Sequence, residues 1–168
     1  MVLALCLLVL GVITRFMPHA PNFTPVLAVA LFGAVYLKRS QALLLPLALM
    51  MVTDIFLGLH PVIAFTWGSV LLISCIGLWV RSRMSVTNVL MGSLASALLF
   101  FAVTNFGVWL AYYPQTWEGF VSCYILAIPF FRTTLASTLL YSVVFFGGYE
   151  VLAAQIKKTR LAPVLLNK

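Results

Sequence analysis

The chain has 168 residues, 64% hydrophobic and 8% charged, with a net charge of +7. A soluble domain carries about 25% charged residues, so this composition excludes an ordinary soluble fold and points to lipid as the solvent. The basic residues fall in short clusters between apolar runs, which argues against nucleic-acid binding and reads instead as membrane topology.

In chain order, apolar runs predict helices over residues 2–17, 25–37, 41–59, 61–80, 87–113 and 133–156. Together they form a single transmembrane domain over residues 1–168. The first run has no basic stretch before it and no small-residue cleavage site, and Leu5 before Cys6 is too bulky for a lipoprotein signal, so no cleaved leader is expected. A spanning helix takes about 20 apolar residues, and the first two runs fall short of that. The second covers only about 20 Å of a hydrocarbon core near 30 Å.

The linker over 16–24 holds Pro18, Asn22 and Thr24, which favour irregular backbone or caps. Two readings stand for it: the linker dips into the bundle, or the first helix is cut short at the given start. Segment 115–132 carries Phe120, Ile125, Leu126, Phe130 and Phe131. It is too apolar for a solvated loop and too short for a further crossing, so a lid or re-entrant piece is predicted.

Charge sets the orientation. Lys38 and Arg39 follow the second helix, Arg81 and Arg83 the fourth, and Lys157, Lys158, Arg160 and Lys168 the sixth; only Arg15 and Arg132 fall on the opposite side. The positive-inside rule then places both termini in the cytoplasm, giving an all-α integral membrane protein with six helices, N-in and C-in. Small-residue pairs, Ala30 with Ala34 and Gly92 with Ser96, are expected to serve packing within the bundle.

Ionisable groups within or bordering spans are costly and mark functional candidates. They are Arg15 and His19 after the first helix, Asp54 and His60 at the end of the third, Glu118 after the fifth and Arg132 before the sixth. Trp67, Trp109, Tyr112, Tyr113, Trp117 and Tyr124 gather at the same outer side. The set reads either as a small-molecule site or as an aromatic belt with snorkelling charges. Asp54 is deep enough to need a partner, either Arg15, Arg132 or a ligand.

Metalloprotease, hydrolase, nucleotide-binding and paired-aspartate signatures are absent. Three acidic residues support little metal or proton chemistry, so an enzyme is not expected. The three cysteines, Cys6, Cys75 and Cys123, form no paired motif.

Particular stretches carry a resemblance: Arg15–Phe16–Met17–Pro18–His19 running into Pro21–Asn22–Phe23–Thr24–Pro25, Thr53–Asp54–Ile55–Phe56–Leu57–Gly58–Leu59–His60, Thr104–Asn105–Phe106–Gly107–Val108–Trp109, and Cys123–Tyr124 with Pro129–Phe130–Phe131–Arg132. The chain resembles small six-helix bacterial membrane proteins similar to the substrate-binding S-components of energy-coupling factor (ECF) vitamin transporters, among them the BtuM-type cobalamin transport proteins.

The resemblance implies a multi-pass protein of the bacterial cytoplasmic membrane that takes up cobalamin or another corrinoid through an outward-facing cavity. It would work with an ECF-type energising module or with none, and would carry no cofactor of its own. His19, Asp54 and Arg132 match the family's binding positions. Arg15, Asn22, His60, Trp67 and Tyr124 complete the expected ligand-binding set.

The family's cobalt-ligating, decyanating cysteine has no counterpart near the start of the fourth helix, where Phe65, Thr66 and Trp67 stand. Cys75 and Cys123 are the alternative candidates for that ligand. Two other readings stand beside cobalamin uptake: a transporter of another small metabolite, and an assembly subunit with no ligand.

Overall fold

The structure is a computed structural model that describes residues 2–18 and 20–166. It is helical throughout, with no strand among the described residues. The helices are α1 (Val2–Ile13), α2 (Val26–Tyr36), α3 (Arg39–Ala42), α4 (Leu44–Leu57), α5 (Ile63–Ser82), α6 (Val86–Tyr112), α7 (Trp117–Ser142), α8 (Gly148–Ile156) and α9 (Ala162–Leu166). A 3-10 turn, Thr14–Phe16, follows α1, and a π-helical turn, Val143–Gly147, joins α7 to α8 without a break.

Three helices are long and apolar enough to cross a membrane: Ile63–Ser82, Val86–Tyr112 and the continuous rod Trp117–Ile156. The rod has 40 residues, about 60 Å at helical rise. By contrast α1, α2 and α4 have 12, 11 and 14 residues.

Local chemistry explains most of the boundaries. Ser85 and Thr116 are N-caps whose hydroxyls accept the backbone N–H of Asn88 and Gly119, each at 3.1 Å. Gly58 closes α4 at φ 108°, a conformation that favours glycine, and its N–H reaches the Asp54 carbonyl at 2.9 Å. The helix expected over 41–59 is split at Leu43. Pro46 lacks the N–H that would bond the Ala42 carbonyl, and its ring crowds that carbonyl, so the chain turns there.

The lid expected over 115–132 is corrected: it is the first half of the rod, packed antiparallel against α6. Its apolar side chains are not a sign of re-entry. Ile125 and Ile128 are exposed on its outer side, as an apolar membrane helix allows. Pro129 is carried inside the helix.

Helix α2 is the centre of the bundle. Every residue from Leu27 to Val35 is buried, because α1, α4, α5, α6 and α7 surround it. Such a helix has no polar face and needs none. The closest approach is to α5, where a Cβ on Gly77 would stand 2.5 Å from the Ala34 Cβ and 2.8 Å from the Leu31 carbonyl oxygen. Ala30 and Ala34, like Gly92 and Ser96, are buried within the bundle. Phe32 packs against Phe145 and Phe146, which the π turn presents to the core side by side, with ring centroids 5.8 and 5.4 Å away.

The basic residues do gather at one end. The Arg81 guanidinium donates to the Leu37 carbonyl at 2.7 Å, so the ends of α2 and α5 meet beside Lys38 and Arg39. The Tyr36 hydroxyl donates to Glu150 of α8 at 2.8 Å at the same end. Lys168 lies outside the described residues.

Candidate functional site

At the opposite end, the linker after α1 shapes a cleft. The Phe23 N–H bonds the Ala20 carbonyl at 2.9 Å, closing a turn with Pro21 and Asn22 at its centre, and Asn22 has φ 60°. Proline followed by a left-handed asparagine is the type II pattern. The turn is seated on α7: the Ser137 hydroxyl reaches the Asn22 carbonyl at 3.4 Å, Phe23 packs on Tyr141, and Pro25 is fully buried. Phe16, Met17, Pro18, Ala20, Pro21 and Asn22 are exposed, so the linker lies on the end of the bundle and enters it only through Phe23, Thr24 and Pro25.

Asn22 stands at the junction of two adjoining cavities of about 290 and 310 Å³. They share Asn105, Val108, Ala127 and Phe130 as well. The first is walled by Phe100, Phe101, Phe130 and Phe131, with His60, Thr66, Thr104 and Thr134 as polar members. The second adds Tyr113 and Cys123. No Asp, Glu, Lys or Arg lines either one.

The polar groups in this wall are held in place. The Thr104 hydroxyl donates to the Phe100 carbonyl at 2.7 Å, the Asn105 amide to the Phe101 carbonyl at 2.8 Å, and the Thr134 hydroxyl to the Phe130 carbonyl at 3.0 Å. Each side chain keeps acceptor capacity beyond that bond. The His60 imidazole makes no hydrogen bond with any described residue, so both ring nitrogens are available to a ligand. Phenyl faces and fixed amide and hydroxyl groups suit a flat, uncharged, hydrogen-bonding molecule.

The expected site residues divide into two groups. Asn22 and His60 line the cleft. Arg15, Asp54 and Trp67 instead form a network behind it: Arg15 Nη2 meets Asp54 Oδ1 at 2.8 Å, Trp67 Nε1 donates to Asp54 Oδ2 at 2.8 Å, and Arg15 Nη1 also bonds the Thr53 hydroxyl. Asp54 is 4% exposed with both oxygens engaged, so its partner is Arg15 and not Arg132. This network ties the end of α1 to α4 and α5.

Arg132 does not open a helix. It lies inside α7 with its side chain on the outer surface, and the cleft wall beside it is made by Phe131. The Tyr124 hydroxyl is engaged by the Ala102 carbonyl at 2.7 Å, and its ring packs on Phe101 and Phe120, bracing α6 to α7. His19 lies outside the described residues.

The two cysteine candidates also separate. Cys75 is exposed on the outside of the bundle. Cys123 is buried, donates to the Asn105 carbonyl at 3.5 Å and reaches the second cavity. No group of three His, Cys, Asp or Glu that could hold a metal exists among the described residues.

Sequence reasoning did not select Thr66, Thr104, Asn105 or the four phenylalanines of the wall as site residues. The adjacent polar pair Thr104–Asn105 inside an uncharged 27-residue helix was the signal that could have found them. It also passed over Glu150, whose Tyr36 bond crosses between α2 and α8.

No curated protein and no solved structure matches the chain. A family model described as a family of unknown function, DUF6580, matches residues 1–161. That is nearly the whole length, and the chain belongs to the DUF6580 family.

Proposed function

We propose that the chain is a substrate-binding transport protein of the S-component type in the bacterial cytoplasmic membrane, admitting a small metabolite through the cleft around Asn22 and Asn105. The observation that carries this is the pair of adjoining cavities at the end of the bundle away from the basic clusters, walled by phenylalanines and fixed polar groups. In this reading the six long or medium helices alternate across the membrane with both termini in the cytoplasm. The short helices α1, α2 and α4 cross only as part of the bundle. Segments too short to span alone are tolerated where protein encloses them. Proteins of this class work with an ECF-type energising module or with none; the chain itself carries no nucleotide-binding motif.

Cavity size bears on the substrate. Small-molecule sites run from about 300 to 1,000 Å³, and each cavity stands at the low end of that range. Cobalamin, the substrate that the resemblance implies, would need the two to merge and widen. The walls favour another small metabolite instead, one that is flat and neutral. Cys123 is the thiol that a corrinoid would meet, since Cys75 faces away.

The test is thermal unfolding of the detergent-purified protein with cyanocobalamin and with pyridoxine, a neutral heteroaromatic of the smaller size. Stabilisation by pyridoxine that disappears in Asn105→Leu is the expected result. Stabilisation by cyanocobalamin alone, with a spectral change lost in Cys123→Ser, would replace it with the corrinoid form. Stabilisation by neither and by no other neutral heteroaromatic would overturn transport in favour of a subunit without ligand.

A further inference from the structure

The basic end of the bundle contains a second site. A cleft of about 400 Å³ lies between α3 and the last turn of α5, lined by Arg39, Leu78, Arg81 and Ser82. We infer that it holds the phosphodiester headgroup of an anionic phospholipid.

Three observations meet there. First, two guanidinium groups border one cavity, and among the described residues neither has a carboxylate within ion-pair distance; the ion pair there is Arg15 with Asp54, at the far end. Like charges held together call for an anion between them, and the planar fork of arginine suits phosphate oxygens.

Second, Arg81 is pre-oriented. Its Nη1 donates to the Leu37 carbonyl at 2.7 Å, which fixes the group while leaving most of its five N–H donors for a ligand. The Ser82 hydroxyl is already committed to the Trp79 carbonyl at 2.7 Å, so the arginines are the donors of the site.

Third, an apolar stripe on the same helix leads up to Ser82 at the edge of the cleft. Leu72, Cys75 and Trp79 are exposed on α5 and, with Ser82, recur at helical spacing along one face. The stripe runs about 15 Å from Leu72 to Ser82 at helical rise. A free phosphate would use the arginines and leave the stripe bare. A phospholipid uses both, with its phosphate on Arg39 and Arg81 and an acyl chain along Leu72 and Trp79. The cationic headgroup of a zwitterionic lipid would be repelled by the same pair, so the site selects net-negative lipids. Basic clefts between spanning helices at the cytoplasmic surface are the usual setting for such contacts.

The test uses the full chain reconstituted in vesicles containing dibrominated phosphatidylglycerol or dibrominated phosphatidylcholine. The readout is the part of the tryptophan quenching that Trp79→Phe removes. Wild-type protein is expected to prefer the anionic lipid. Arg39→Gln, an exposed position with no packing role, should reduce that preference about fivefold, the equivalent of one surface charge. Arg39→Gln combined with Arg81→Lys, which keeps a cation near the Leu37 carbonyl, should reduce it further. Inorganic phosphate at millimolar levels should leave the preference unchanged. Equal quenching by both lipids in the wild type, or a preference that survives both variants, would overturn the site. Loss of the preference on adding phosphate would reassign the arginines to a free anion.

Discussion

Two regions of the bundle hold their polar groups by different means. From α1 to α4 the helices are short, and they are tied by long-range bonds between side chains: Arg15 to Asp54 and Thr53 across almost 40 residues of sequence, with Trp67 of α5 bonding Asp54 from the other region. From α5 to α8 the helices are long, and their hydroxyls fold back on their own turns. Ser69, Ser74, Ser93, Ser96, Thr104 and Thr138 each bond the carbonyl four residues earlier. A helix that can cross lipid alone needs only local satisfaction of its polar atoms. A short helix must borrow partners, and a single charged network then carries an outsized share of the cohesion.

That contrast is open to attack by mutation, read by thermal unfolding in detergent. The largest effect should come from Asp54→Asn, which strands the partly buried Arg15 cation and should cost about 2–4 kcal/mol. The paired replacement Arg15→Met with Asp54→Leu should recover most of that loss, because no uncompensated charge remains. An unchanged melting temperature in Asp54→Asn would end the comparison. Trp67→Phe keeps the ring and removes one hydrogen bond to the carboxylate, for an expected loss of about 1.5–3 kcal/mol.

Gly77→Ala probes the seam between the two regions. Its new Cβ meets the Ala34 side chain and the Leu31 backbone, so relief requires α2 and α5 to separate, at a cost of about 1–3 kcal/mol. The smallest effect belongs to the long helices. The Ser93 hydroxyl lies 2.8 Å from both the Val89 carbonyl and the Ser142 hydroxyl. Ser93→Ala should cost roughly 0.6 kcal/mol, the average for such contacts between membrane helices. A loss as large as that of Asp54→Asn would show that the long helices also depend on single polar links.

The same division marks what could be read from the sequence. The fifth helix, expected over 87–113, is Val86–Tyr112 in the structure, because Ser85 caps it and no proline or charged residue interrupts it. The pairing of Asp54 with a nearby arginine was also legible, since a lone buried carboxylate demands a cation. The choice of Arg15 over Arg132 was not, because it depends on which face of α7 turns inward. The expected break before residue 133 failed for a related reason. Pro129 and Arg132 look like helix ends when read locally, yet a helix flanked by α6 on one side and lipid on the other tolerates both. The cleft was only half visible: Asn22 and His60 carried polar signals, whereas Phe100, Phe101, Phe130 and Phe131 are indistinguishable in sequence from residues facing lipid.

The enclosure of α2 has a consequence for how the protein is made. Its 11 residues leave the ribosome before any of α5, α6 or α7 exists, yet those helices supply most of its walls. A segment of that length cannot bridge the hydrocarbon core by itself. The walls of α2 can therefore close only after the chain has been synthesised past Ser82, when Gly77 can meet Ala34. An early-translated part of the core is thus among the last to be completed, and a chain stopped before α5 leaves α2 without most of its walls.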